Sequence, residues 1–202
     1  MPSYAEPRRS PFRTDPPAEN AYTSRILPLF VEHLDSQPQG KLLDVGPVCG
    51  ENIRFFASRV GKLYVCDLFR RLCQETRQGR SASHIWRDLN YPVGSFDAVQ
   101  LWDLGDHLQD RELTRLVELC VLMLKPKGML MLIAMGEQAD PSLSSSLAIG
   151  ESYRLRLRAQ PGLDLSRHHR HNRELIAILS PFKLVKSFIY RNGLREFLFQ
   201  HP

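Results

Sequence analysis

Aspartates and glycines stand where the first two predicted strands of this chain end, and their spacing suits a nucleotide-like ligand. The apolar run 41–45 carries Asp44 near its end, and Gly46 and Gly50 follow it. Glycines after a strand let the backbone approach a ligand, and the free N–H groups of the next helix face it. Asp67 closes the second predicted strand 23 residues after Asp44, near the offset of roughly 20 at which a carboxylate meets ribose hydroxyls. This pattern indicates a cofactor site.

A second group of reactive side chains follows the predicted fourth strand, at the same edge of the sheet. Histidine ordinarily titrates near neutral pH, which suits His107 to act as a general base. Asp103 is the second candidate for catalysis and Asp106 the third. The alternative is that Gly105, Asp106 and His107 only begin the next helix, with Asp106 as its cap.

Apolar runs that alternate with amphipathic stretches predict the elements that position these residues. Strands are predicted over 41–45, 62–67, 83–87, 96–102 and 128–135, and helices over 19–34, 51–60, 68–78, 111–125 and 173–179. This alternation predicts an α/β fold with a doubly wound, mostly parallel sheet. Two final strands flank Asn192-Gly193, a strong hairpin signal, so the sheet should end in a C-terminal antiparallel hairpin strand. Asn172 is the expected N-cap of the last helix.

The composition is that of one globular domain over residues 19–202, preceded by an arm without a core. The chain has 202 residues, 43% of them hydrophobic, and a formal net charge of +5. Residues 1–18 hold five prolines and few apolar side chains, so we expect a disordered arm. The longest apolar run, 129–135, is far shorter than the roughly 20 residues of a membrane helix, so no membrane insertion is expected. Four cysteines without metal-ligand spacing predict a cytoplasmic, reduced protein with no structural metal.

The basic character is concentrated in the last quarter of the chain. Residues 151–202 hold 10 Lys and Arg against 4 Asp and Glu. Segment 136–172 connects the fifth strand to the last helix and is longer than most connections. It contains YRLRLR (153–158), and SRHHRHNR (166–173) extends into the helix. We expect a lid or substrate segment whose cations suit a phosphate, a carboxylate or a nucleic-acid backbone. The alternative is a solvated loop.

The order of the motifs resembles that of the S-adenosylmethionine-dependent methyltransferase superfamily with the Rossmann-like fold, in its small, single-domain, type 11-like form. The resemblance covers residues 40–200. It rests on the final hairpin and on five motifs: DVGPVCG (44–50), VCDLF (65–69), RDLNYP (87–92), GSFDAVQLWDLGDHL (94–108) and LKPKGMLML (124–132). It implies a Rossmann-like sheet, S-adenosyl-L-methionine as the cofactor, and methyl transfer as the reaction.

The resemblance also implies a role for each matched residue. The methionine end of the cofactor would be surrounded by Asp44, Gly46 and Gly50, and its ribose hydroxyls would be bound by Asp67. The adenine would be contacted by Leu68, Asp88 and Leu89. The sulfonium would be approached by Leu101, Trp102 and Asp103. One position departs from the family, because Val48 stands where the middle glycine is expected. A β-branched residue tolerates positive φ poorly. Either this loop takes another path with the cofactor intact, or cofactor binding is weakened.

These motifs do not determine the methyl acceptor. The Asn/Asp-Pro-Pro-aromatic signature of amino-group nucleic-acid methyltransferases is absent, because Leu101-Trp102-Asp103-Leu104 stands at that position. A small-molecule acceptor is therefore expected. Two alternatives stay open: an RNA methyltransferase that uses the basic segment 153–173, and a non-catalytic binding protein that kept the fold.

Overall fold

The computed structural model describes residues 21–79, 82–136, 145–160 and 165–202, and the arm predicted for residues 1–18 lies outside these ranges. The strands are β1 (Ala21–Thr23), β2 (Lys41–Asp44), β3 (Lys62–Val65), β4 (Phe96–Gln100), β5 (Leu124–Ala134), β6 (Ser145–Ile149), β7 (Arg154–Ala159), β8 (Lys183–Ile189) and β9 (Arg195–Gln200). The helices are α1 (Leu27–Asp35), α2 (Gly50–Ala57), α3 (Leu68–Arg77), α4 (Asp110–Met123) and α5 (Asn172–Ile178). Short 3-10 helices cover Ala82–Leu89, Leu104–His107 and Glu151–Tyr153.

Six strands form the main sheet in the order β3-β2-β4-β5-β9-β8. Strands β3, β2, β4 and β5 run parallel, while β9 is antiparallel to both of its neighbours. Alternate residues of the buried strands supply two core clusters, with Leu43 and Val99 on one face and Leu42 and Ala98 on the other. The predicted α/β fold with a mostly parallel sheet is confirmed.

The β8–β9 hairpin turns at Asn192-Gly193, as predicted. Gly193 has φ +79°, a left-handed conformation that glycine adopts without a Cβ clash. The side-chain oxygen of Asn192 accepts the N–H of Leu194 at 3.2 Å. The turn returns the chain so that β9 lies between β5 and β8.

The strand predicted over 83–87 is wrong. This stretch belongs to the 3-10 helix Ala82–Leu89. In this helix the side chains of Ile85 and Leu89 are buried in the core. The main sheet therefore ends at β3.

Three helix starts also differ from the predictions. The helix predicted from residue 19 begins at Leu27, with Pro28 in its first turn, where the missing N–H of proline has no cost. The cap of α4 is Gln109 rather than Asp106. The cap of α5 is His171 rather than Asn172.

Strands β1, β7 and β6 form a second, antiparallel sheet, which we did not predict. Two of its strands lie within segment 136–172, so the described part of that segment is not a plain loop. The signal was the alternation in YRLRLR, in which Leu155 is buried while Arg154 and Arg158 are exposed. A half-buried strand accounts for this pattern.

The side chain of Asn52 joins the small sheet to α2. Its amide donates to the carbonyl oxygen of Leu147 and accepts the N–H of Ile149, each at 2.8 Å. Both ends of the buried amide are therefore satisfied. This contact fixes β6 beside the helix that follows the glycine loop.

A buried glutamate holds the start of the described chain against the main sheet. Glu196 of β9 is fully buried. It accepts hydrogen bonds from the hydroxyls of Tyr22 (3.1 Å) and Tyr190 (2.7 Å), and from the N–H groups of Arg25 (2.9 Å) and Ile26 (3.1 Å). Burial, and then the charge of Glu196, raise the pKa of Tyr22 above its ordinary value. One carboxylate thus satisfies four donors where β1 and α1 meet the sheet.

Glu196→Leu should lower the free energy of unfolding by more than about 3 kcal/mol, because it removes a buried, charged acceptor that four donors share. Tyr22→Phe removes one of those donors and should cost only about 1 kcal/mol. Urea denaturation of the parent and both variants measures the two losses. Equal losses in the two variants would contradict the role of Glu196 as a shared acceptor.

Candidate functional site

The carboxyl ends of β2, β3 and β4 meet at one edge of the main sheet, where the predicted site residues converge. The N–H of Val45 donates to the carbonyl oxygen of Gln100 at 2.8 Å, and the N–H of Cys66 donates to that of Asp44 at 2.9 Å. Parallel pairing thus continues to the ends of the strands. It brings together the glycine loop, the start of α3 and the residues that follow β4.

Asp67 lies between the glycine loop and α3. It is the N-cap of α3, where one carboxylate oxygen accepts the N–H of Arg70 at 2.9 Å. The other oxygen accepts the N–H of Val48 at 3.4 Å. Each carboxylate oxygen has a further lone pair, so Asp67 is oriented by the protein and can still accept hydrogen bonds from a ligand.

Val48 is accommodated by the loop without strain. It is not among the described residues with positive φ, and its side chain is 60% exposed. The loop therefore takes a path that does not require glycine at this position.

A cavity of about 570 Å³ opens beside Asp67, and Asp88 and Arg71 also line it. Asp88 forms an ion pair with Arg71 at 2.8 Å, and both side chains remain partly exposed. Leu68 and Leu89 are fully buried in the core. The structure therefore brings Asp67 and Asp88 to one cavity and keeps the two leucines out of it.

The indole of Trp102 lies against Gly46, where the methionine end of a cofactor was expected. A Cβ built on Gly46 would lie 2.3 Å from Cδ1 of the indole, whereas a Cβ on Gly50 would meet nothing within 4 Å. The Nε1–H of Trp102 donates to Oδ1 of Asp44 at 2.5 Å. Trp102 is 1% exposed, and its ring centroid is 6.4 Å from that of Phe56. In this structure Gly46 makes room for the tryptophan.

Two features near the end of β4 are unusual for a protein interior. Trp102 has φ +49°, a left-handed conformation that costs a bulky residue about 1–3 kcal/mol. Gln100 is fully buried, and neither of its amide atoms has a hydrogen-bond partner among the described residues. Buried polar groups are nearly always paired, and backbone strain concentrates at binding sites. Both features therefore point to this region as one that binds a ligand.

The predicted catalytic pair comes together, with Nε2 of His107 3.6 Å from Oδ2 of Asp103. Nδ1 of His107 faces the carbonyl oxygen of Ser166 at 3.1 Å, so both ring nitrogens point at oxygens. Burial lowers the pKa of His107, but the nearby carboxylate of Asp103, the carbonyl oxygen of Ser166 and the charge of Asp106 together raise it more, and the net shift is upward. Asp106 is occupied elsewhere, because its carboxylate accepts the N–H of Met135 at 2.6 Å. The contacts thus favour the charged imidazolium, which cannot accept a proton.

Two arginines of the basic segment are engaged within the fold. Arg158 donates to both carboxylate oxygens of Glu51, at 3.0 and 2.9 Å. Arg170 is buried and donates to the carbonyl oxygen of Gly105 and to the carboxylate of Asp110, each at 2.7 Å. These two side chains hold elements together, which is neither the expected ligand binding nor the alternative of a solvated loop.

The described ranges of the chain also bear on metal binding and on membrane insertion. Among the described residues, no group of three or more His, Cys, Asp or Glu side chains is placed to hold a metal ion. None of the helices in these ranges has the length and apolar character needed to cross a membrane. All four cysteines are free and buried.

The fold is similar to those of solved methyltransferases. An S-adenosylmethionine-dependent methyltransferase from Mesorhizobium loti matches with a TM-score of 0.58 and 15% identity, over 88% of this chain and 98% of that one. The N-methyltransferase NodS from Bradyrhizobium japonicum WM9, in complex with S-adenosyl-L-homocysteine, matches with a TM-score of 0.53 and 16% identity, over 88% and 87% of the two chains.

A third structure is that of 1,6-didemethyltoxoflavin-N1-methyltransferase from Burkholderia thailandensis, with bound 1,6-didemethyltoxoflavin and S-adenosylhomocysteine. It matches with a TM-score of 0.52 and 17% identity, over 86% of this chain and 75% of that one. No family model and no curated protein matches the sequence. The structural matches show that this chain has the Rossmann-like fold of S-adenosylmethionine-dependent methyltransferases, as the resemblance implied.

Gly46→Ala should lower the free energy of unfolding by about 1–3 kcal/mol, the range for overpacking a filled site, because the new methyl group meets the indole of Trp102. Gly50→Ala is the matched control, in the first turn of α2, and should be neutral or stabilising. Urea denaturation measures both. Equal losses would show that the indole does not lie against Gly46.

Stability should fall as the pH rises from about 4 to about 7. Burial raises the pKa of Asp44 from 3.8 to about 7, against the opposing hydrogen bond from Trp102. Between these values the folded state holds a proton that the unfolded chain has released, so raising the pH favours unfolding. Asp44→Asn removes this titration.

The free energy of unfolding of Asp44→Asn minus that of the parent should therefore rise by about 2–3 kcal/mol between about pH 5 and about pH 8. Urea denaturation at both pH values measures this difference, in which all other titrations cancel. A difference that does not change with pH would refute the raised pKa of Asp44.

Proposed function

We propose that this protein is an S-adenosylmethionine-dependent methyltransferase that acts on a small-molecule acceptor. The observation that carries the proposal is the meeting of Asp67 and Asp88 at one cavity, beyond the carboxyl ends of parallel strands. Ribose hydroxyls and the adenine amino group are hydrogen-bond donors, and carboxylates accept them. The similarity in fold to NodS, solved with S-adenosyl-L-homocysteine, supports the same ligand class.

The adenosine half of the cofactor fits the residues present. Asp67 would accept the ribose hydroxyls with the lone pairs that its two backbone contacts leave, and Asp88 would share its carboxylate between Arg71 and the adenine amino group. When bound, S-adenosylmethionine supplies a methyl group activated by its sulfonium. The methionine half does not fit the structure as it stands, because Trp102 fills the space at Gly46.

Asp103 is the base in this proposal, for an acceptor whose nucleophile must lose a proton. Its Oδ2 is buried and has no hydrogen bond among the described residues, although Nε2 of His107 stands 3.6 Å away. His107 in its charged form would orient this carboxylate rather than take the proton itself. Leu101, two residues before Asp103, is fully buried, and its side chain would help to keep water away from the reacting atoms.

A small molecule is favoured as the acceptor because the Burkholderia thailandensis enzyme was solved with 1,6-didemethyltoxoflavin. The RNA alternative has only the basic segment in its favour, and Arg158 and Arg170 of that segment already have partners within the fold. Segment 136–172 would act as the lid of this enzyme, within a single domain over 19–202. The proposed location is cytoplasmic.

Asp67→Ala should weaken binding of S-adenosylhomocysteine and of adenosine by about 1.5–3 kcal/mol, the scale of hydrogen bonds to charged groups. Isothermal titration calorimetry measures both ligands. Asp67→Asn keeps an N-cap for α3 but removes the charge, so it separates a direct loss of ligand contacts from a loosened helix.

Asp97→Asn is the matched control, because Asp97 is a buried carboxylate at the start of β4 that pairs with Lys125 at 2.7 Å. Asp97 lies at the amino end of the strand, away from the candidate site at the carboxyl ends. The variant should therefore leave both affinities unchanged. Unchanged affinities in Asp67→Ala would refute the ribose site. Failure of the parent to bind either ligand at millimolar concentration would refute the cofactor.

A further inference from the structure

The candidate site at the carboxyl ends of β2, β3 and β4, called the cleft below, has an open half and a closed half. The open half is the cavity lined by Asp67 and Asp88. In the closed half, the indole of Trp102 lies so near Gly46 that even a methyl group on that glycine would meet it. Protein interiors are close-packed, so a ligand arm cannot share this volume with the indole.

The side chain of Trp102 is held by contacts that rotation of the side chain would break. Its Nε1–H donates to Asp44 at 2.5 Å, and its ring packs on Phe56. The backbone is held separately, because the carbonyl oxygen of Trp102 accepts the N–H of Ile133 at 2.9 Å. The closed half can therefore open by a change of side-chain torsions, while β4 and β5 stay in place.

The polar groups near the indole match an amino-acid head group. Asp44 and Gln100 pair in the register of β2 and β4, so their side chains share one face of the sheet. Both are buried, and the amide of Gln100 has no partner among the described residues. An α-ammonium group donates to a carboxylate, and an amide both donates to an α-carboxylate and accepts from an ammonium. Trp102 therefore occupies, on Asp44, the position that such a head group would use.

We propose that Trp102 is a gate over the methionine half of the cleft, and that its hydrogen bond to Asp44 controls the entry of S-adenosyl ligands. This inference rests on the proposed function, because it assumes a ligand with an adenosine end and an amino-acid end. Adenosine binds the open half and leaves Trp102 in place. S-adenosylhomocysteine displaces the indole, so its affinity is reduced by the fraction of molecules in which the gate is open.

The movement of the gate can be observed directly by fluorescence. The chain has two tryptophans, Trp86 and Trp102, so Trp86→Phe leaves Trp102 as the only emitter. S-adenosylhomocysteine should shift its emission to longer wavelength and increase quenching by acrylamide, because the indole leaves its buried site. Adenosine should change neither. Binding of S-adenosylhomocysteine, seen by calorimetry in the same sample, with unchanged emission and quenching would overturn the proposal.

The energetic coupling is tested by Trp102→Phe, which removes the Nε1–H donor and keeps an aromatic ring. Its affinity for S-adenosylhomocysteine should rise at least about tenfold, because the closed state loses its hydrogen bond to Asp44. Its affinity for adenosine should stay within about twofold of the parent value. Trp86→Phe is the matched control, since the same atoms are removed at the other tryptophan, and it should change neither affinity. An equal rise for both ligands, or no rise for S-adenosylhomocysteine, overturns the gate.

Failure of the proposed function has a different signature. In that case neither adenosine nor S-adenosylhomocysteine binds to the parent, to Trp86→Phe or to Trp102→Phe. Both the proposed function and the gate are then refuted. If adenosine binds but Trp102 neither moves nor alters the affinity for S-adenosylhomocysteine, the function stands and the gate alone is refuted. Circular dichroism establishes whether Trp102→Phe is folded; if it is not, fluorescence of the native Trp102 decides the question.

Discussion

The hydrogen bond between Trp102 and Asp44 joins the end of β4 to the end of β2 inside the cleft. It forms only because Gly46 has no side chain in the path of the indole. The carboxylate, the left-handed tryptophan and the glycine loop therefore meet at one point, and the closed arrangement requires all three. The same few atoms complete the hydrophobic core on one face of the sheet and close part of the proposed ligand site, so the proposal sets stability against binding at this edge.

The fold could be predicted from the sequence to the extent that it follows from local patterns. Apolar runs gave the parallel strands, Asn192-Gly193 gave the final turn, and the ends of strands placed Asp44 and Asp67 at one edge. The prediction of a strand over 83–87 was wrong because a short apolar run fits a 3-10 helix as well as a strand. The length and charge of segment 136–172 predicted a lid or substrate segment, although its alternation also contained the signal of a strand.

The candidate site was predicted less completely, because side-chain directions depend on contacts between distant parts of the chain. Trp102 was expected to approach a cofactor, but its direction is decided by a partner 58 residues away in the sequence. The burial of Gln100 could have been predicted, since it is a polar residue within the apolar run FDAVQLW. The pairing of Asp88 with Arg71 has no comparable signal, because an exposed arginine on a helix can reach several carboxylates.

Glu196 also constrains the order in which the protein can be completed. Its contact with Tyr22 spans 174 positions of the sequence, and its strand lies between β5 and β8 rather than at the edge of the sheet. During synthesis on the ribosome, β1 and the start of α1 emerge long before their acceptor exists. The nascent chain must keep this segment undocked, and the gap beside β5 open, until β9 has been translated. Contacts of such long range slow folding and expose unpaired strands to aggregation, so the docking of β1 depends on a strand that is made much later.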